Sequence, residues 1–380
     1  MERNLKPGLD PSLGGRVGAW ARFDDLFRSW VRPGSVSSIE SLLISLGAIL
    51  ASLVAFGIFM LLTGRNPFDV LYTIYKGGFG NWFAWQNTLL RAAPLLLTAL
   101  CTAIPARLGL MIIGGEGALI LGALATVVAA VSLAGAPPML AIPLMALAAA
   151  CVGGAWVALA GWLREARGVN ETISSLLLNY IAIALMNHLI SGVMRDPAVV
   201  HRPSSWSVGD AFMVGQIPGI TVHWGLAAGV ILCLCLYVLM TRTSFGFAAQ
   251  MIGGNVRAAR LAGLSVTKYV LIACCIGGAG AGLAGMFEVA AGEGRVSSSI
   301  VVGYGYTGIL VAFIARQNPL AIIPVAILLG GIRASGGLLQ RWHDLPDASV
   351  LVLQGLMFVM ILSGESLHGR LSKLFARRAS

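Results

Sequence analysis

Apolar residues are gathered along this chain into ten long runs separated by short polar breaks. A helix needs about 20 mostly apolar residues to cross a hydrocarbon core of about 30 Å, because no water is present there to pair backbone groups. That length places spans at 42–62, 88–104, 110–134, 139–162, 171–193, 223–240, 269–291, 299–315, 319–335 and 348–363. The predicted fold is therefore an all-α polytopic membrane protein. The run before Arg107 is short enough to fit a re-entrant segment as well.

The polar stretches divide the chain further. Residues 1–41 are too long and too polar for a simple cleaved signal peptide and read as a cytoplasmic arm. Within it Trp20, Phe23, Phe27 and Trp30, set among Arg22, Arg28 and Arg32, form either a surface-lying amphipathic piece or a loosely ordered tail. A transmembrane domain at 42–363 and a basic tail at 364–380 follow. The outer connection 194–222 is rich in Pro and Gly, which predicts an ordered loop or a short helix cap. In the inner connection 241–268, Asn255 is placed to cap a short helix through Arg260 that ends near Gly263. A compact helix held there between two spans is the kind of element a soluble partner can grip.

Composition agrees with the pattern and removes alternatives. Of 380 residues 57% are hydrophobic and only 11% charged, against about 25% charged in soluble proteins. An ordinary water-soluble enzyme is excluded, and 48 glycines without a three-residue period exclude collagen. A formal charge of +10 in a soluble chain would point to nucleic acid, but here the basic residues lie between the apolar runs. With the amino terminus inside, eighteen fall on the inner side and six outside (Arg65, Lys76, Arg195, Arg202, Arg295 and Arg341). That asymmetry predicts both termini in the cytoplasm. Arg91 and Arg333 fall within spans, near enough to their ends to snorkel. The six cysteines all lie inside apolar runs without zinc or redox spacing and read as small buried apolar residues.

Three stretches carry polar groups into the membrane. "GLMIIGGEGALILGALA" sets Glu116 among Gly114, Gly115 and Gly117. A carboxylate there costs about 2.5 to 3.5 kcal/mol on insertion scales, so it faces a polar cavity, caps a helix or pairs, for instance with Arg91. "VVGYGYTGILVAFIARQNP" opens another span with Gly303, Gly305 and Gly308 around Tyr304, Tyr306 and Thr307. The string "GGEGALILGA" resembles "GYTGILVAFI" five spans later, and an odd displacement inverts direction; spans two to five and seven to ten thus read as inverted repeats with a pathway at their interface. "NETISSLLLNYIAIALMNHLI" can start at Asn170 or Thr172 and carries Ser175, Asn179 and Asn187 on neighbouring faces, a stripe that serves either interhelical hydrogen bonding or solute lining. Candidate pathway residues are Glu116, Asn179, Asn187, Tyr304 and Thr307, and Glu288 and Glu293 are candidates for the outer mouth. His188 reads as an interfacial residue rather than a metal ligand, and no metal site is expected.

The chain has no G-x-x-x-x-G-K-[ST] loop, no H-E-x-x-H and no G-x-S-x-G, and its five histidines are scattered. Catalysis by this polypeptide is not expected.

These residues carry a family resemblance. "GLMIIGGEGALILGA", "GVNETISSLLLNYIAI", "TSFGFAAQMIGGNVRAARLAGLS" and "GYGYTGILVAFIARQNPL" occur in this order over roughly 88–330. Together they resemble the membrane permease subunits of ATP-binding-cassette importers, in the branch serving branched-chain amino acids, ribose-type sugars and nucleosides. The resemblance implies a separate ATPase subunit that binds ATP and Mg, a second permease subunit, an extracytoplasmic binding (lipo)protein and a bacterial cytoplasmic membrane. It implies no cofactor on this chain and no nucleic-acid partner. The inner loop matches the family's coupling segment, so Gly253, Gly254, Asn255, Ala258, Ala259 and Gly263 are the implied ATPase contacts. Glu116 matches the acidic position of the first glycine motif, which here is flanked by Ile112 and Ala118 where family members usually carry Asn and Gln. The implied function is inward transport of a nucleoside or related sugar-containing solute. A ribose-type sugar permease, a stand-alone ion-coupled transporter and a passive channel are the alternatives.

Overall fold

The structure, a computed structural model, describes residues 35–199 and 202–367. In chain order its helices are α1 (Ser35–Leu62), α2 (Pro67–Phe79), α3 (Trp82–Ala106), α4 (Gly115–Ser132), α5 (Pro138–Arg167), α6 (Glu171–Ser191), α7 (Gly225–Arg242), α8 (Ser244–Gly254), α9 (Val256–Leu261), α10 (Val266–Glu288), α11 (Tyr304–Ile314), α12 (Pro319–Ala334), α13 (Gly336–His343) and α14 (Ala348–Leu367). Among the described residues no strand forms; extended pairing is confined to isolated bridges.

Contacts divide the chain into a large unit, Leu53–Phe358, and a second made of Met1–Ser52 and Val359–Ser380. The described part of the second consists of the first turns of α1 and the last turns of α14. The N-terminal arm to residue 34, with its Trp20 to Trp30 stretch, and the tail from residue 368 lie outside the described residues.

Every predicted span is found as a helix, and among the described residues seven helical segments are long and apolar enough to cross a membrane. The re-entrant reading before Arg107 is corrected: α3 starts at Trp82 and runs 25 residues. Its first turns were hidden by Gln86, Asn87 and Arg91, which dilute the apolar signal. The span expected at 223 begins at Gly225, leaving His223 in the preceding turn. The span expected at 299–315 shrinks to the 11 residues of α11. The short helices α2, α8 and α13 lie outside the predicted spans.

Helix starts are written in asparagine. Asn66, Asn81, Asn170, Asn255 and Asn318 precede α2, α3, α6, α9 and α12, and each side-chain oxygen accepts a backbone N–H of the first turn. Pro67 and Pro319 follow two of them, where a missing N–H costs nothing.

The core of the large unit is α3 and α4, whose apolar windows are 78% and 72% buried, against 28% for α7. Two sets of helices interlock around it. The first set is α3, α4, α5 and α6; the second is α10, α11, α12 and α14. α3 packs on α11 and α12, while α10 packs on α4 and α5, and α3 and α10 pack on each other. That reciprocity is the arrangement expected of two inverted repeats. The close approaches need glycine. A Cβ on Gly282 of α10 would lie 2.1 Å from the Ala149 carbonyl oxygen of α5, and one on Gly122 of α4 would lie 2.5 Å from Gly282 Cα. Glycine packing lets backbones come close where apolar burial offers no driving force between helices.

The buried-cysteine expectation holds for Cys101, Cys233 and Cys274 only. Cys151, Cys235 and Cys275 lie on exposed helix faces, because a membrane span is apolar on its outer side too. All six are free thiols.

Candidate functional site

After α3 the chain turns at Gly109 (φ +80°) and stays non-helical until α4 begins at Gly115. Backbone groups at such a break must be paired inside the membrane. The polar stripe of α6 does this. Thr172 Oγ1 donates to the Met111 carbonyl (2.9 Å), the Ile113 N–H donates to Ser175 Oγ (3.0 Å), and Asn179 Nδ2 donates to the Ile113 carbonyl (2.6 Å). Asn179 Oδ1 also accepts the Gly117 N–H at 2.7 Å. From α3, Thr102 Oγ1 donates to the Ile112 carbonyl at 3.1 Å. Ser175 and Asn179 thus bind backbone. Asn187 lies two turns further on, on an exposed face of α6, and does not join them.

Glu116 is fully buried in the first turn of α4. Its carboxylate accepts the N–H of Gly303 at 2.9 Å and the N–H of Gly305 at 2.5 Å. It therefore caps α11, a helix from the second set. Gly303 holds φ +82° at this cap, and a Cβ on Gly305 would lie 2.2 Å from the Glu116 backbone nitrogen. The N-termini of α4 and α11 are in direct contact, and the glycines on both sides make that possible.

Arg91 does not pair with Glu116; its Nη1 donates to the Tyr304 hydroxyl at 3.0 Å. Arg333 does not snorkel either. It donates to Thr307 Oγ1 (2.9 Å) and to the Val302 carbonyl (2.6 Å), with its guanidinium 4.7 Å from the centre of the Tyr304 ring. A cation on a ring face and two hydrogen bonds hold it inward. Thr307 also reaches the Gly303 carbonyl and Gln354 Oε1, each at 3.1 Å. Gln354, buried on α14, was missed by sequence reasoning; its signal was a lone amide inside an apolar run. Glu116, Asn179, Tyr304 and Thr307 are thus gathered into one buried polar knot, each bonded to protein groups.

Glu288 is half-buried at the end of α10, within electrostatic reach of Arg91 and Arg333. Glu293 is exposed and accepts from Ser297 Oγ and Ser299 Oγ. The described residues of the connection 194–222 are laid over this turn: the Ser205 N–H donates to the Val296 carbonyl, the Val214 N–H to the Ala290 carbonyl, and Arg295 pairs with Asp196.

At the opposite end, α8 and α9 form a ledge. Asn255 Oδ1 accepts the N–H groups of Arg257 and Ala258, and Gly263 (φ +84°) terminates the turn after α9. The six implied contact residues divide. Ala259 is buried, and Gly253, though exposed, backs onto Arg107, whose carbonyl oxygen a Cβ would approach to 2.3 Å. Gly254, Asn255, Ala258 and Gly263 are exposed, with Leu261 beside them 90% exposed.

Comparison with known proteins agrees with this architecture. The family described as the permease component of the branched-chain amino acid transport system matches residues 85–362. The chain is 32% identical over 328 residues to the glucose ABC transporter permease protein TsgB13 of Haloferax volcanii, covering 83% of this chain and 86% of that one. It is 28% identical to the guanosine ABC transporter permease protein NupP of Bacillus subtilis, covering 91% of this chain and all of the relative. It is 27% identical to the nucleoside ABC transporter permease protein NupB of Lactococcus lactis, covering 76% and 82%. The chain is a multi-pass membrane transport component and belongs to the family of branched-chain amino acid transport system permeases.

Proposed function

We propose that this chain is the membrane subunit of an ATP-driven importer that carries a nucleoside or related sugar-containing solute inward by alternating access. In this reading it sits in a bacterial cytoplasmic membrane with the arm 1–41 and the tail 364–380 on the cytoplasmic side. It pairs with a second permease subunit, receives solute from an extracytoplasmic binding (lipo)protein, and is driven by a separate ATPase subunit that holds ATP and Mg. No reaction is catalysed by this polypeptide.

The observation that carries the reading is the ledge of α8 and α9. Its outer residues Gly254, Asn255, Ala258 and Leu261 are open, while Ala259 is buried against the bundle and one side of the exposed Gly253 lies close to the Arg107 carbonyl. A short capped helix so placed offers a partner a rigid grip. The relatives that transport guanosine and nucleosides support the solute class. A lone ion-coupled mechanism needs a carboxylate free to exchange ions, and the buried Glu116 already accepts two backbone N–H groups.

The test is reconstitution. Liposomes containing only this chain should show no uptake, and the complete complex should import with ATP. Ala258→Arg should abolish solute-stimulated ATP hydrolysis while leaving membrane insertion intact. Gradient-driven accumulation by the isolated chain would overturn the reading. The glucose-transporting relative favours a second solute class, simple sugars. A thermal-shift screen of the partner binding protein against nucleosides, pentoses and hexoses separates the two.

A further inference from the structure

We infer that two ion pairs at the end of α5, Arg260–Glu165 and Arg164–Glu171, are the tie that carries movement of α9 to the break before α4. This rests on the reading of α9 as the element an ATPase moves. α9 packs chiefly on α8 and α10. Between α9 and the α5–α6 turn lies an open groove of about 440 Å³, with Val256 and Arg260 on one wall and Arg164, Glu165, Asn170 and Glu171 on the other. Across that gap the Arg260 guanidinium comes within 3.8 Å of Glu165, which also accepts from Thr267 Oγ1 at 3.3 Å. One residue earlier on α5, Arg164 pairs with Glu171 at 2.8 Å.

Glu171 is the first residue of α6 and accepts the Met111 N–H at 3.4 Å. Thr172, Ser175 and Asn179 hold the rest of the break, and Glu116, directly after it, holds the N-terminus of α11. The chain of contacts therefore runs without a gap from the ledge to the knot between the two repeats. Both pairs are partly exposed, with Arg260 at 62% and Arg164 at 31%. Pairs of that kind contribute little to stability. Arg260–Glu165 crosses the groove and Arg164–Glu171 joins α5 to α6 along its far wall, so in series they connect α9 to α5 and α6 without dragging packed side chains. Contiguity alone does not demonstrate coupling, so the pairs need a cycle of charge reversals.

The experiment uses the complete complex purified through this chain and follows hydrogen exchange at 111–117 and 300–308, with and without ATP trapped by vanadate. In the parent, trapping should change exchange in both stretches at least fivefold. Glu165→Arg and Arg260→Glu should each reduce that change to less than twofold, and the double reversal should restore it to within twofold of the parent. Glu165→Gln, the conservative variant, should also lose the response. Co-purification of the ATPase is checked for every variant. Parent-sized responses in the single reversals, or no recovery in a double reversal that retains its ATPase, would overturn the inference. A contact made only with the ATPase would lower co-purification in Arg260→Glu and would not be rescued by Glu165→Arg, which also overturns it. A parent complex with bound ATPase and no ATP-dependent change would overturn the reading of α9 itself.

Discussion

The Glu116 carboxylate of α4 accepts the Gly305 N–H of α11 at 2.5 Å, joining the starts of two helices 189 residues apart in sequence. A charged acceptor makes a stronger bond than a neutral one, and at this site it also meets the helix dipole. The sequence had marked this carboxylate as expensive; its place between two backbone N–H groups is what makes it tolerable.

Removing that carboxylate should loosen the knot. Glu116→Ala leaves the Gly303 and Gly305 N–H groups buried without their acceptor, a loss of about 1–3 kcal/mol for each. Glu116→Gln keeps one acceptor oxygen and should fall between parent and Ala. Thermal unfolding in detergent measures the order, and a Gln variant as weak as Ala would count against capping as the main role.

Glycine substitutions should divide by what faces them. Gly282→Ala would push a methyl to 2.1 Å from the Ala149 carbonyl oxygen, so the α5–α10 contact must open, at a cost of about 1–3 kcal/mol. Gly355→Ala meets nothing within 4 Å and should stay within about 0.5 kcal/mol of the parent. Equal melting shifts in the two would contradict the packing described.

Asn255→Ala should cost about 1 kcal/mol of local stability by removing the acceptor for the Arg257 and Ala258 N–H groups. Asn255→Asp keeps it. Faster hydrogen exchange over 256–261 in the Ala variant, with little change elsewhere, is the expected result.

Acidification should weaken the turn before α7. Burial holds the His223 imidazole below its ordinary pKa of 6.5, and its Nδ1 accepts the Gly225 N–H at 3.0 Å. A histidine kept neutral in the folded state contributes stability that is complete above about pH 6.5 and is lost as pH falls toward the lower folded value. Exchange at the Gly225 amide should rise over that window, and His223→Gln should flatten the dependence.

The sequence by itself determined where helices lie and where several begin. Runs of about 20 apolar residues have no other way to satisfy their backbone in lipid, and Asn170 and Asn255 cap the helices expected of them. It also marked Glu116, Asn179, Tyr304 and Thr307, because polar groups are costly in such runs. It could not see α2 or the first turns of α3, where polar residues dilute the apolar signal.

Only the tertiary structure decided what those polar residues do. Spacing put Ser175, Asn179 and Asn187 on neighbouring faces, yet the break before α4 lies against the first two and not the third. Arg91 and Arg333 turn to Tyr304 because α11 is short and starts beside them, which no local pattern records. Apolar periodicity states which residues leave water; which backbone each polar group then meets depends on how two repeats far apart in sequence interlock.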